Sequence, residues 1–126
     1  MAQLAAAGYK LEHDSDRTDA DVEVINTCGF IGDAKQESID TILSAVRAKE
    51  EGAIEQLFVI GCLSERYADE LREEIPEVDK YFGVNDWADI VAALGGEHKA
   101  ELSTERVLTT PSHYAYLKIG EGCNWL

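Results

Sequence analysis

Positive charge is scarce in this sequence: 11 Lys and Arg stand against 25 Asp and Glu, a formal charge of −14. Such a field repels phosphate backbones, which argues against direct nucleic-acid binding and favours a basic partner. Acidity of this size also serves solubility alone. Proline occurs twice and no segment is low in complexity, so Pro-rich linkers and repeat arrays are excluded. No apolar run approaches the roughly 18–20 residues of a membrane span, and the N-terminus shows no basic region leading into an apolar one. The expectation is a cytoplasmic chain with no membrane partner. Cysteine is sparse, at three, and builds no compact disulfide framework. Free thiols or metal ligands in a reducing compartment are the default. The three histidines (His13, His98 and His113) have no ligand spacing, and two thiols alone do not complete a zinc tetrahedron.

What is present is a globular chain of 126 residues, 45% hydrophobic, long enough to bury one core. Residues 1–8 read as the end of a helix stopped at Gly8, Tyr9–Leu11 as a short edge strand, and His13–Asp19 as a polar turn. Val22–Asn26 is the first clear strand. Asp33 then caps a helix whose apolar face is Ile39, Ile42, Leu43 and Val46, ending at Glu50-Glu51-Gly52. Leu57–Gly61 is almost wholly apolar, as a parallel strand covered on both faces requires. Ser64 is placed as the cap of one continuous helix with Tyr67, Leu71 and Ile75 inward, stopped by Pro76. Tyr81-Phe82-Gly83 follows as a third strand, and Asp86 caps a last helix with Trp87, Ile90, Val91 and Leu94 inward. This alternation predicts an α/β fold, a parallel sheet with flanking helices in a flavodoxin-like three-layer arrangement. Glu97–Ser112 dissolves into charged and small residues, and Tyr114–Ile119 alternates like a strand with nothing beside it to pair with.

The chemistry sits at two strand ends. Asn26-Thr27-Cys28-Gly29 ends one strand and Gly61-Cys62 the other, each followed by a helix. In an open parallel sheet the strand C-termini share one edge, where ligands bind. Glycine beside each thiol lets a bulky group approach the backbone, and helix N-termini nearby favour the thiolate that binds metal. Two readings stay open on residues alone. Cysteine is among the most buried residue types, so Cys28 and Cys62 are readable as packing or as a redox pair, as well as ligands of a metal or cluster. Ser38 and Ser64 lack an adjacent base and read as a helix residue and a cap.

INTCGFI, AKQESIDTIL, VIGCLSERYADEL, EIPEVDKYFG and YLKIGEGCN, in this order along the chain, resemble the methylthiotransferases, radical S-adenosylmethionine enzymes with an auxiliary iron–sulfur cluster. The Cys-Gly-Phe-Ile form is similar to the RimO-like branch, which acts on a ribosomal protein. The resemblance implies that Cys28 and Cys62 are two of three ligands of the auxiliary 4Fe–4S cluster, with Asn26, Thr27, Gly29 and Gly61 as backbone near it. It places the third ligand upstream of Met1. It matches Cys123 to the first cysteine of a C-x-x-x-C-x-x-C motif for a second 4Fe–4S cluster, whose other two ligands lie beyond Leu126. The intact enzyme would insert a methylthio group at the β-carbon of an aspartate in basic small-subunit ribosomal protein twelve. It would use S-adenosylmethionine and a flavodoxin- or ferredoxin-like reductant.

The expected organisation is therefore a cluster domain over residues 1–96 lacking its opening strand, a linker over 97–113, and the beginning of a radical-enzyme barrel over 114–126. The chain alone is expected to bind no cofactor and catalyse nothing, and the lost strand to leave an unpaired edge beside Val22–Asn26. A tRNA adenosine methylthiotransferase (MiaB-like) is the alternative within the family. A non-enzymatic flavodoxin-like interaction domain is the alternative outside it.

Overall fold

A computed structural model describes residues 2–13, 20–29, 32–96, 113 and 116–117. The sequence expectations for most of 13–19, the 97–113 linker, the 114–119 strand and Cys123 fall outside the described residues, His113 and residues 116–117 apart. The chain forms two compact units, one of residues 16–90 and one of residues 1–15 with 91–126.

In the larger unit, β1 (Ala20–Thr27), β2 (Ile54–Gly61) and β3 (Lys80–Tyr81) make a parallel sheet in the order β1-β2-β3. Helix α2 (Gly32–Glu50) connects β1 to β2; α3 (Cys62–Arg66) and α4 (Ala68–Glu74) connect β2 to β3. This is the expected parallel α/β fold. Crossovers of one hand between successive neighbours put their helices on one face. There Leu57 and Val59 of β2 pack with Ile25, Ile42, Val46, Leu63, Leu71 and Ile75. The other face of β2 is also covered, since Phe58 and Ile60 are buried, with the Phe58 ring edge-on to Phe82 at 5.6 Å. An apolar central strand is the result.

Strand β2 starts three residues before the apolar run, because Ala20 pairs with Ile54 and Val22 with Gln56. Among the described residues β1 pairs on one side only, and Val24 is 38% exposed on it. Helix α2 ends at Gly52, whose φ of 79° no β-carbon favours; its N–H and that of Ala53 bond back to Lys49 and Ala48. Asp33 sits inside the first turn of α2 rather than ahead of it.

Five further expectations are corrected. The helix over 64–75 is two helices, broken at Tyr67 (φ −123°, ψ 28°), and Gly61 rather than Ser64 stands at its N-cap position. Leu43 is 39% exposed, and Trp87 of α5 (Trp87–Ala93) is 51% exposed. At about 100° per residue Leu43 lies more than a quarter turn from the middle of the buried stripe of α2, which is Ser38, Ile42, Ala45 and Val46; Trp87 shares a face with the buried Ile90 and Val91 but is exposed as the first residue of α5. Tyr9–Leu11 forms no strand. After α1 (Ala2–Ala6), the Tyr9 N–H is taken by the Leu4 carbonyl and its hydroxyl donates to the Leu94 carbonyl, both within the smaller unit.

Candidate iron–sulfur ligand edge

Parallel register fixes the geometry of this site. Thr27, the last residue of β1, pairs with Gly61, the last of β2. Cys28 and Cys62 are therefore each one residue past matched ends of adjacent strands, which run about 4.8 Å apart. Both thiols are free and exposed, so the packing reading does not describe them. Asn26, Thr27, Gly29 and Gly61 lie at the same junction. The Thr27 hydroxyl, buried, donates to the Ile60 carbonyl at 2.7 Å and ties the two strand ends together.

The two turns touch through their glycines. A β-carbon at Gly29 would stand 2.7 Å from the Leu63 α-carbon and 3.0 Å from its nitrogen. The turn after Cys28 thus lies against the helix start after Cys62. Gly61 has φ 110°, and a β-carbon there would fall on the Thr27 carbonyl and 2.8 Å from Asn26 Oδ1. The backbone turns at Gly61 from strand directly into α3, which places Cys62 as that helix's first residue.

Two buried serines hold these turns, a role sequence reasoning missed. The Ser38 hydroxyl of α2 accepts from the Cys28 N–H and donates to the Cys28 carbonyl, both at 3.1 Å. The Ser64 hydroxyl faces the Gly61 carbonyl at 3.0 Å and the Phe82 carbonyl at 2.5 Å. Its one proton favours the shorter contact, linking the Cys62 turn to the end of β3. Carboxylates extend that link: Glu65 accepts from the Val84 N–H at 2.9 Å, and Asp86 from the Gly83 N–H at 2.6 Å. Asp86 thus closes the turn ahead of α5 with its side chain. The only sequence signal for either serine was its place ten or two residues after a cysteine.

Charge and space complete the edge. The Lys35 ammonium, in the first turns of α2, lies 3.9 Å from the centre of the Tyr67 ring, pinning α2 to the break between α3 and α4. A cavity of about 230 Å³ opens beside Cys28, walled by Ile25, Asn26, Ala34, Glu37, Ser38 and Thr41. The described residues contain no group of three or more His, Cys, Asp or Glu placed to hold a metal ion, so the edge offers two thiols. Paired accessible thiols suit soft iron–sulfur ligation. No helix among the described residues is long and apolar enough to cross a membrane.

Residues 1–83 match the model of the uncharacterized protein family UPF0004. The chain belongs to that family. Its UPF0004 segment contains both cysteine turns. Similar relatives carry the name ribosomal protein uS12 methylthiotransferase RimO. That of Phocaeicola vulgatus is 59% identical over 98% of this chain, those of Bacteroides fragilis 57%, and those of Porphyromonas gingivalis 52%. These matches bear out the resemblance drawn from INTCGFI and the segments after it. The UPF0004 chain described here spans 29% of the length of these relatives.

Proposed function

We propose that this chain is the part of a radical S-adenosylmethionine methylthiotransferase that presents Cys28 and Cys62 as two ligands of an auxiliary 4Fe–4S cluster. The observation that carries the reading is the Thr27–Gly61 register, which puts the two thiols at equivalent ends of neighbouring strands. A third ligand from outside this sequence would leave one iron of such a cluster open to an exogenous sulfur. This chain's own residues do the holding: Thr27 ties the strand ends, Gly29 and Gly61 leave room for the two turns to meet, and Ser38 and Ser64 fix their backbones. Cys123 would be the first ligand of the second cluster, in a barrel that begins near residue 114.

The intact protein would act in the cytoplasm on an aspartate of the small-subunit ribosomal protein uS12, with a flavodoxin- or ferredoxin-like reductant. The names of the relatives support that substrate over tRNA. So does the −14 charge, which draws a basic protein and repels a polyanion. Electrostatic attraction of this kind predicts that uS12 binds more weakly as salt rises. The test is a full-length protein, reconstituted without oxygen and given S-adenosylmethionine, a reductant and purified uS12. The expected result is uS12 heavier by one methylthio group on an aspartate. Modification of tRNA instead, with uS12 untouched by a loaded enzyme, overturns the substrate assignment.

A further inference from the structure

Ser38 stands outside the proposed ligand set, and its geometry is unusual for a helix serine. A serine inside a helix ordinarily points to solvent or bonds back to its own preceding turn, as Thr41 does to the Glu37 carbonyl at 2.8 Å. Ser38 leaves its helix. Its hydroxyl receives the N–H and donates to the C=O of one residue, Cys28, across ten positions of sequence. The N–H and C=O lie at the two ends of the rotations about the Cys28 α-carbon, so one hydroxyl restrains both φ and ψ there. The root of the thiol is then fixed relative to α2, although the thiol itself is exposed. Ser38 is only 9% exposed and, among the described residues, its hydroxyl is bonded to Cys28 alone, so water does not readily take its place.

We infer that Ser38 is a positioning residue for Cys28: its hydroxyl sets the direction in which the thiol is offered to the iron–sulfur cluster. This inference rests on the ligand reading above and assigns a role to a residue outside the ligand set. Groups that orient a ligand tune both metal affinity and the properties of the bound centre. The isosteric loss is Ser38→Ala, which keeps helix propensity and removes only the hydroxyl. Ser38→Thr restores it.

The first readout needs no metal. In the 126-residue chain, amide hydrogen exchange at Cys28 should quicken roughly tenfold in Ser38→Ala, with Ile25 and Val59 unchanged, and return toward the native rate in Ser38→Thr. The second uses the reconstituted full-length protein. There Ser38→Ala should shift the electron paramagnetic resonance signal of the reduced auxiliary cluster and hasten its loss to a chelator, and Ser38→Thr should reverse both. Native exchange at Cys28 together with a native spectrum in Ser38→Ala overturns the inference. Loss of protection throughout β1 and β2 also overturns it, because Ser38 is then a general structural residue. Failure of the ligand reading looks different: Cys28→Ala would load its auxiliary cluster as fully as the native protein, whatever Ser38 does.

Discussion

Gly29 lies directly on the backbone of Leu63, close enough that a β-carbon would stand 2.7 Å from the Leu63 α-carbon. Backbone cannot swing aside as a flexible side chain can. Gly29→Ala therefore has to part the Cys28 turn from the start of α3. A core overpacked at one point costs about 1–3 kcal/mol. Chemical denaturation should show a loss of that size, and iron retention in the full-length protein should fall with it.

Gly61→Ala is the harsher change. The residue combines a φ of 110° with a β-carbon position occupied by the Thr27 carbonyl. Strained backbone costs of order 1–3 kcal/mol before any clash is added. The expected loss exceeds that of Gly29→Ala, read as a lower denaturant midpoint. A variant as stable as the native chain would show that the turn from β2 into α3 tolerates another conformation.

A pH dependence follows from Asp79. Partial burial opposes its charge, but the Lys49 ammonium at 2.5 Å and the Leu57 N–H at 2.8 Å outweigh it and hold the carboxyl below its usual range. A depressed folded value means the folded state binds the proton less readily than the unfolded one. The stabilisation is present above the unfolded value near 4 and fades as pH falls through the folded one. Half-exposed pairs of this kind contribute about 1 kcal/mol or less. Asp79→Asn should lower the melting temperature at pH 7, and the difference from the native chain should shrink at pH 2–3.

Tyr81 gives the opposite sign. Its ring is buried and its hydroxyl donates to the Ile75 carbonyl at 2.9 Å, with the Leu71 carbonyl at 3.2 Å, at the end of α4. Burial, then the Glu77 charge, push its pKa up to about 12, while Arg72 acts weakly the other way. Folding thus favours the neutral phenol; that contribution is whole below the unfolded value near 10 and is lost as pH rises toward 12. Tyr81→Phe should cost about 1 kcal/mol at pH 7. It should also flatten the alkaline fall in stability, measured by thermal melts between pH 9 and 12.

How much of this was legible in the sequence differs by element. β2 was, because Leu57 to Ile60 are buried on both faces and read as an unbroken apolar run. The cysteine edge was too, since strand, thiol and helix occur in that order twice. Leu43 misled because an apolar side chain off the middle of the stripe still fits a loose helical period, and Trp87 because it keeps the period of Ile90 and Val91 while standing at the exposed first position of α5. Ser38 and Ser64 were illegible in their roles. Their partners are the backbone atoms of Cys28, Gly61 and Phe82, and backbone atoms leave no signature in sequence. The break at Tyr67 was hidden likewise, since no Pro or Gly marks it.

The ligand reading we propose has Cys28 and Cys62 bind one and the same cluster. Iron and sulfide per protein, measured after anaerobic reconstitution of the full-length protein and of its Cys28→Ala, Cys62→Ala and doubly substituted forms, tests it most directly. Ligands of one cluster lose together, so each single variant should lose close to what the double variant loses, about four iron atoms. Native iron content in either single variant, or losses that add between the two, would mean that the two thiols do not share a cluster.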